Sequence, residues 1–260
     1  MKSKKLFLIF FIFTGCGFSS GIYKDILVAQ EYLTERKFQK AVKVYESILA
    51  KKPSLNIQIK INDQLGDIYS IYLNNYEKSL RHYKEIESES NEPLWQVRSL
   101  EKIGNIYFEK TKNFQAASVA YLKLAKFIPS LEKQAFYKFR YALSLLYNHQ
   151  TSLAIIELKK IIKEKQVKYI KEANYYIGLA HFYKQQWVQA REYWFEYLKI
   201  ETRKDKIVNT KFLIANAYES SEHLKEAYNI YYSILGEYPN PEIIQSRLNS
   251  LYERRIARKR

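Results

Sequence analysis

Glycine, proline and cysteine are scarce in this 260-residue chain, which contains 7 Gly, 5 Pro and 1 Cys. Glycine and proline together usually supply roughly 12% of a protein, far more than here. A β-sandwich or β-barrel needs turn residues about every 8–12 positions, so the scarcity argues against both. A single Cys excludes an intramolecular disulfide framework and a cysteine-rich metal site. Hydrophobic residues make up 47% of the chain, too much for a disordered protein, so long helices with short loops are expected.

The beginning of the chain has the three parts of a secretory signal. Lys2, Lys4 and Lys5 precede an uncharged apolar run over residues 6–13, and small residues then precede Cys16. The apolar run is too short for a transmembrane helix, which needs about 20 residues. We therefore interpret this segment as a targeting signal.

The segment Phe13-Thr14-Gly15-Cys16 resembles a bacterial lipobox, with Phe13 in the place of the commoner Leu. The resemblance implies a lipoprotein signal peptide over residues 1–15, a lipidated N-terminus at Cys16 and a short tether over residues 16–21. Two or three acyl chains hold a protein firmly on a membrane. The position directly after Cys16 is Gly17 and not an acidic residue, which by the habit of bacterial lipoproteins is compatible with the periplasmic side of the outer membrane. An ordinary signal with an incidental cysteine, and an uncleaved anchor, remain open.

The chain is strongly basic, with a formal net charge of +16 at pH 7 that falls to +13 when the three lysines of residues 1–15 are removed. Such a charge is typical of proteins that bind nucleic acids or anionic surfaces. However, Lys, Ile, Asn, Tyr and Phe are all abundant, as A/T-rich coding bias produces. An exported lipoprotein also rarely meets nucleic acid, so we expect no nucleic-acid partner.

Three columns of residues repeat along the chain every 36–38 positions. A first small residue is followed 12 or 13 positions later by a second small residue, and four positions after that by a large one. The first column is Ala29, Gly66, Gly104, Ala142, Gly178 and Ala215; the second is Ala41, Ser79, Ala117, Ala154, Ala190 and Ala227; the third is Tyr45, Tyr83, Tyr121, Leu158, Trp194 and Tyr231.

Each repeat has the pattern of two helices joined by a polar break. Apolar residues recur at intervals of three and four on both sides of the break, which is the period of an amphipathic helix. Helices that pack about 8–10 Å apart need small residues where they cross, and a bulky residue nearby fills the groove. The columns therefore predict six antiparallel helix pairs.

These residues resemble the tetratricopeptide repeat (TPR). Leu65-Gly66-x-x-Tyr69 matches its first helix, and Phe38-x-x-Ala41-x-x-x-Tyr45 with Pro53 matches its second. Ser79, His181 and Thr202 depart from the pattern, and the fourth repeat is the most degenerate. The resemblance implies an all-α, right-handed α-α superhelix whose first helices line a concave face. Its six repeats cover residues 22–241, at about 22–58, 59–96, 97–134, 135–170, 171–207 and 208–241.

Residues 242–260 form one further segment with an apolar stripe, which we expect to be a capping helix, as solenoid ends require. It ends in a basic tail of Arg254, Arg255, Arg258, Lys259 and Arg260. The tail either complements the C-terminal end of the helix or contacts phospholipid head groups or an acidic partner.

No catalytic or metal-ligating pattern was found among the histidines, serines and acidic residues, so we expect no enzyme, no cofactor, no metal and no small-molecule substrate. First-helix residues of the fourth and fifth repeats instead predict an apolar, aromatic groove for a partner protein. They are Phe136, Phe139, Leu143, Leu146, Tyr147, Tyr175, Leu179, Phe182 and Tyr183.

Together these features predict a non-enzymatic scaffold, a membrane-tethered lipoprotein of the bacterial cell envelope that holds other envelope proteins. Its layout is similar to that of BamD-type lipoproteins of outer-membrane assembly, and secretion and motility complexes use the same architecture. The alternative is a module that binds cell wall or glycan through aromatic residues of the concave face.

Overall fold

A computed structural model describes residues 16–164 and 167–258 of the chain. These residues contain thirteen α-helices and no β-strand, which confirms the predicted all-α class. The helices are α1 (Cys16–Thr34), α2 (Phe38–Ala50), α3 (Leu55–Asp67), α4 (Tyr76–Glu89), α5 (Pro93–Asn105), α6 (Phe114–Ala125), α7 (Gln134–Tyr147), α8 (Thr151–Lys163), α9 (Val167–Tyr183), α10 (Trp187–Leu198), α11 (Lys204–Ser220), α12 (Leu224–Ile234) and α13 (Pro241–Ala257).

The helices belong to two compact units, divided between Ile106 and Tyr107. In the N-terminal unit each helix from α1 to α5 packs on the next, and in the C-terminal unit the same holds from α6 to α13. In the C-terminal unit α7 also packs on α9. Each unit is therefore a series of stacked antiparallel hairpins. No helix within the described ranges combines the length and the apolar character needed to cross a membrane.

The start of α1 corrects one prediction. The short tether predicted over residues 16–21 is part of a helix. Helix α1 begins at Cys16 and continues without interruption to Ile22, where its buried part starts. Extending an existing helix costs little compared with starting one, and no proline interrupts this stretch. The predicted signal peptide, residues 1–15, lies outside the described residues.

All three columns of repeated residues lie in the interior. Every one of the eighteen small and large column residues is buried, including the second-repeat Ser79, whose hydroxyl donates to the carbonyl of Gly66 at 2.8 Å. Burial of the small residues is what close helix crossing requires. The periodic pattern thus identified interior positions in all six repeats.

In the second and fifth repeats the large residue of the second helix lies directly on the small residue of the first. A Cβ atom added at Gly66 would be 2.5 Å from the Tyr83 ring, and one added at Gly178 would be 2.5 Å from the Trp194 ring. The polar atoms of both rings have partners: the Tyr83 hydroxyl donates to Asp67 Oδ1 at 2.6 Å, and Trp194 Nε1 donates to the Tyr175 carbonyl at 3.1 Å. Each ring therefore fixes the spacing of its two helices.

The turn inside every hairpin has one residue in the left-handed region, with φ between 50° and 61°, and in no case is it glycine. In the fourth repeat, the His149 and Gln150 N–H groups donate to the Leu146 and Leu145 carbonyls, a Schellman-type helix end. Scarce glycine therefore does not prevent tight turns here. The six residues are Arg36, Asn74, Lys112, His149, Gln185 and Glu222.

Two repeats contain one extra residue, which the structure absorbs as a turn of π-helix. In the second and third repeats the two small column residues are 13 positions apart, as Gly66 and Ser79 are. In the other four repeats they are 12 positions apart. Ile68–Tyr72 and Ile106–Lys110 are the π-helical segments of these two repeats. A π turn accommodates one additional residue without breaking the helix, and the small positions on either side of it remain buried in both repeats.

We expect Gly66→Ala and Gly178→Ala each to lower the free energy of unfolding by about 1–3 kcal/mol, the usual cost of overpacking, because the new methyl group displaces a buried ring. Gly236→Ala is the matched control, since nothing lies within 4 Å of its added Cβ. Urea denaturation of the three variants measures the effect. Equal stability of all three would show that the rings do not rest on the glycines.

Candidate binding surfaces

The N-terminal unit contains a cavity of about 530 Å³ that the sequence did not reveal. Its lining comes mainly from the first helices α1 and α3, with Trp95 from α5. An aromatic ring flanks it at Tyr23 and at Trp95, and amide and ammonium groups lie along its length. The lining residues are Tyr23, Ile26, Gln30, Tyr45, Ser54, Asn56, Ile57, Lys60, Ile61, Asp63, Gln64 and Trp95.

Ion pairs between neighbouring first helices fix one side of this cavity. The buried Asp63 accepts two hydrogen bonds from Arg98, at 2.9 and 2.8 Å. One turn further on, Asp67 accepts from Lys102 at 2.5 Å. Both pairs join residues 35 positions apart, nearly one repeat, so they bind α5 to α3. The Arg98 guanidinium also lies 5.8 Å from the centre of the Trp95 ring, which holds that ring at the cavity.

In the C-terminal unit the predicted aromatic groove is largely filled. Phe139, Leu143 and Leu146 are buried, with 8%, 5% and 1% of their surface exposed, so their assignment to an open groove is wrong. The physical reason is that α9 covers α7: the Phe139 ring stacks on Tyr169 at 5.1 Å and meets Tyr176 at 5.9 Å. These residues are core contacts between repeats.

The other six predicted groove residues differ in their exposure. Only Tyr183 is exposed, at 58%, and Phe136, Tyr147, Tyr175, Leu179 and Phe182 are half-buried. Tyr147 packs against Phe108 and Phe114, and Phe182 packs against two tryptophans, Trp187 and Trp194. Helical periodicity shows which side of a helix is apolar, but it does not distinguish a surface groove from a contact with the next repeat.

A smaller cavity of about 270 Å³ remains in this unit, between α9, the end of α10 and the start of α11. Three tyrosine rings form its wall, and cationic and amide groups lie beside them. Its lining residues are Glu172, Tyr175, Tyr176, Tyr197, Arg203, Lys206, Asn209 and Thr210. Of the predicted groove, only Tyr175 belongs to this cavity.

The basic C-terminal tail is mostly engaged with the preceding hairpin. Helix α13 runs to Ala257, so Arg254 and Arg255 are helical. Arg254 forms ion pairs with Glu219 at 3.1 Å and with Glu222 at 2.9 Å. Arg258 also forms an ion pair with Glu222. The Arg255 guanidinium lies over a tyrosine ring of α12. Lys259 and Arg260 lie outside the described residues. These contacts hold α13 on the last hairpin.

Three known structures resemble the chain over most of their length. PilW, described as a widely conserved type IV pilus biogenesis factor, is 15% identical, with 88% of this chain and 98% of PilW covered and a TM-score of 0.53. Pseudomonas aeruginosa PilF is 13% identical (88% and 99% covered, TM-score 0.51). A putative Podosopora anserina kinesin light chain with nearly identical TPR-like repeats is 14% identical (65% and 91% covered, TM-score 0.51).

The chain has the TPR fold. At these identities the similarity concerns the fold alone, and it confirms the resemblance found in the repeated residues. No protein-family model matches the sequence, and no curated protein matches it either.

Two of the four histidines of this TPR chain, His82 and His181, hydrogen-bond to amide side chains. His82 bonds to Asn62 at 2.8 Å and His181 to Gln186 at 2.7 Å. Burial lowers the pKa of both imidazoles below the ordinary value. Within residues 16–164 and 167–258, no three His, Cys, Asp or Glu side chains form a group that could hold a metal ion.

A buried carboxylate, Glu201, holds the loop between α10 and α11 beneath the smaller cavity. Its side chain is 0% exposed, and it accepts hydrogen bonds from the Tyr197 hydroxyl at 2.6 Å and from the N–H groups of Thr202 and Arg203 at 3.0 Å. The Lys171 ammonium lies 3.4 Å away. Thr202 occupies the position where the TPR pattern usually has proline, so the carboxylate shapes the turn that proline shapes elsewhere.

The hydrogen bonds determine the protonation of Glu201. Burial by itself would raise the pKa of this carboxyl, but the bonds from Tyr197, Arg203 and Thr202 outweigh it and hold the pKa far below the ordinary value. A carboxylate with a lowered pKa in the folded state stabilises the protein above its unfolded pKa, and this contribution is lost as the pH falls.

We expect Glu201→Gln to lower the free energy of unfolding by about 2 kcal/mol at pH 7, because it removes hydrogen bonds to a charged group. The difference from the parent chain should shrink as the pH falls below about 4.3, the unfolded value. Urea denaturation between pH 7 and pH 3 measures it.

Glu196→Gln is the control for this experiment, since Glu196 forms an exposed pair with Lys199, the residue that follows α10. Its removal should change stability by less than about 0.5 kcal/mol. A pH-independent loss in Glu201→Gln would contradict the role assigned to the buried charge.

Proposed function

We propose that this chain is a non-enzymatic scaffold that binds a segment of a partner protein in the cavity of its N-terminal unit. The observation that carries the proposal is the 530 Å³ cavity between α1, α3 and Trp95. A volume of this size falls in the range of ligand sites, about 300–1,000 Å³. The stacked helices and the α3–α5 ion pairs fix its walls, so little conformational entropy is lost on binding.

The chemistry of the cavity suits a short extended peptide. Gln30, Asn56 and Gln64 bring amide groups to its lining, and each amide both donates and accepts hydrogen bonds, as a peptide backbone does. The Tyr23 and Trp95 rings offer apolar contact area for side chains, and such rings are frequent anchors of protein interfaces. Because Asp63 is paired with Arg98, it presents no uncompensated charge to the partner.

The proposal includes a membrane anchor at Cys16. It is supported by the lysines at positions 2, 4 and 5, by the apolar run over residues 6–13 and by the lipobox-like Phe13-Thr14-Gly15-Cys16. Acylation places the scaffold in the bacterial cell envelope, with the periplasmic side of the outer membrane preferred. Confinement to a membrane raises the effective concentration of partners in the same membrane.

A place in a multiprotein envelope assembly follows from these two elements. PilW, which shares the fold over nearly its whole length, is described as a type IV pilus biogenesis factor. By analogy, this chain would serve a pilus, secretion or outer-membrane assembly complex by holding one of its components.

Site-specific photocross-linking in cells that express the full chain tests the proposal. A benzophenone amino acid replaces Gln64, which is exposed in the cavity, or Glu85, which is exposed on α4 as a control. We expect discrete protein adducts from position 64 and none from position 85. Trp95→Ala should reduce the adducts of position 64 about fivefold or more, as loss of an interface anchor does.

Leu94→Ala is the matched variant for Trp95→Ala, because the neighbouring Leu94 is 72% exposed and does not line the cavity. It should leave the adducts unchanged. Equal adducts from positions 64 and 85 would contradict the proposal. Adducts that consist of cell-wall glycan in place of protein would instead favour the glycan-binding alternative.

A further inference from the structure

The first helix presents a short exposed apolar stripe that none of the described residues of the N-terminal unit covers. Tyr23 and Leu27 lie one helical turn apart and are 58% and 64% exposed, whereas Ile22 and Ala29 on the opposite side of α1 are buried against its neighbours. Side chains four positions apart share one face of a helix. Both side chains therefore present apolar surface on this one face of α1.

The helical register links this stripe to the proposed point of acylation. Position 16 lies seven residues before Tyr23 and eleven before Leu27 in the continuous helix α1, and both spacings return to the same face at 3.6 residues per turn. At 1.5 Å per residue, Tyr23 is about 10 Å along the axis from position 16. Position 16 of the helix therefore lies on the face that carries this stripe.

The charge of the first hairpin complements an anionic lipid surface. Residues 16–54 contain seven basic and four acidic residues. One of the four acids, Asp25, is paired with Lys51 at 2.7 Å, and Lys24 next to Tyr23 is exposed. Basic groups close to a membrane are attracted to anionic head groups, and tyrosine is enriched at the membrane–water boundary.

We infer that the Tyr23–Leu27 face of α1 lies on the phospholipid surface, so that the first hairpin rests on the membrane. The inference depends on the proposed function, since it takes acylated Cys16 as the point of attachment. Tyr23 also lines the 530 Å³ cavity. The cavity therefore opens beside the lipid head groups, where it receives membrane-proximal segments of a partner.

Spin labelling of the acylated full-length chain tests this contact. Acylation consumes the only cysteine, so Leu27→Cys and Leu94→Cys each introduce a single free thiol for a nitroxide label. Both leucines are exposed and lie in the same unit. The labelled proteins are reconstituted in vesicles of phosphatidylethanolamine and phosphatidylglycerol, and collisions with oxygen and with a water-soluble nickel complex are measured.

Cys16→Ser versions of both labelled chains, without vesicles, give the values for a free surface. On vesicles, we expect the label at position 27 to lose nickel collisions several-fold and to gain oxygen collisions, while the label at position 94 keeps its free-surface values. This result would support contact between α1 and lipid.

Intact mass, measured before labelling, separates the two ways in which the inference could fail. An unmodified Cys16 would overturn both the anchor and the membrane contact. An acylated Cys16 with position 27 as accessible to nickel as position 94 would overturn the contact alone. Dipolar broadening between labels at position 27 would assign the stripe to a second copy of the chain and would also overturn it.

Discussion

The structure depends on a close contact inside helix pairs, in which a large side chain of the second helix lies on a small residue of the first. At Gly66 and Gly178 the ring of the second helix fills the space that a Cβ atom would occupy. The contact fixes how closely two helices approach, and interiors packed at crystal-like density transmit such constraints to their neighbours. The stacking of hairpins, and with it the shape of each surface, follows from this spacing.

The same contact explains why the fold could be predicted from sequence and the binding surface could not. A small–large pair at a fixed interval leaves a periodic signal, and all eighteen positions predicted from it are buried. Phe139 and Leu146 are apolar whether they face solvent or another helix, and periodicity cannot tell these two cases apart. The periodic pattern therefore assigned them wrongly to an open groove. The lining of the cavity beside α3 includes polar residues such as Gln64 and Asn56, which have no periodic signature.

Local irregularities are tolerated because they lie outside the small–large contact. The π-helical turns at Ile68–Tyr72 and Ile106–Lys110 absorb an inserted residue, and Glu201 shapes a loop that lacks the usual proline. Neither change alters the interior columns. Such variation leaves the packing of the interior intact while the exposed side chains differ between repeats. One repeated fold can therefore form a cavity flanked by Tyr23 and Trp95 in one unit and a cavity lined by three tyrosines in the other.

A double-mutant cycle on Gly66 and Tyr83 tests the central contact most directly. The fourth repeat combines Ala142 with Leu158 in place of glycine with an aromatic ring, so Tyr83→Leu should make room for the methyl group of Gly66→Ala. The account predicts that the two changes are strongly non-additive, with Gly66→Ala costing at least about 1 kcal/mol less in the Tyr83→Leu background than in the parent chain. An equal cost in both backgrounds would contradict it.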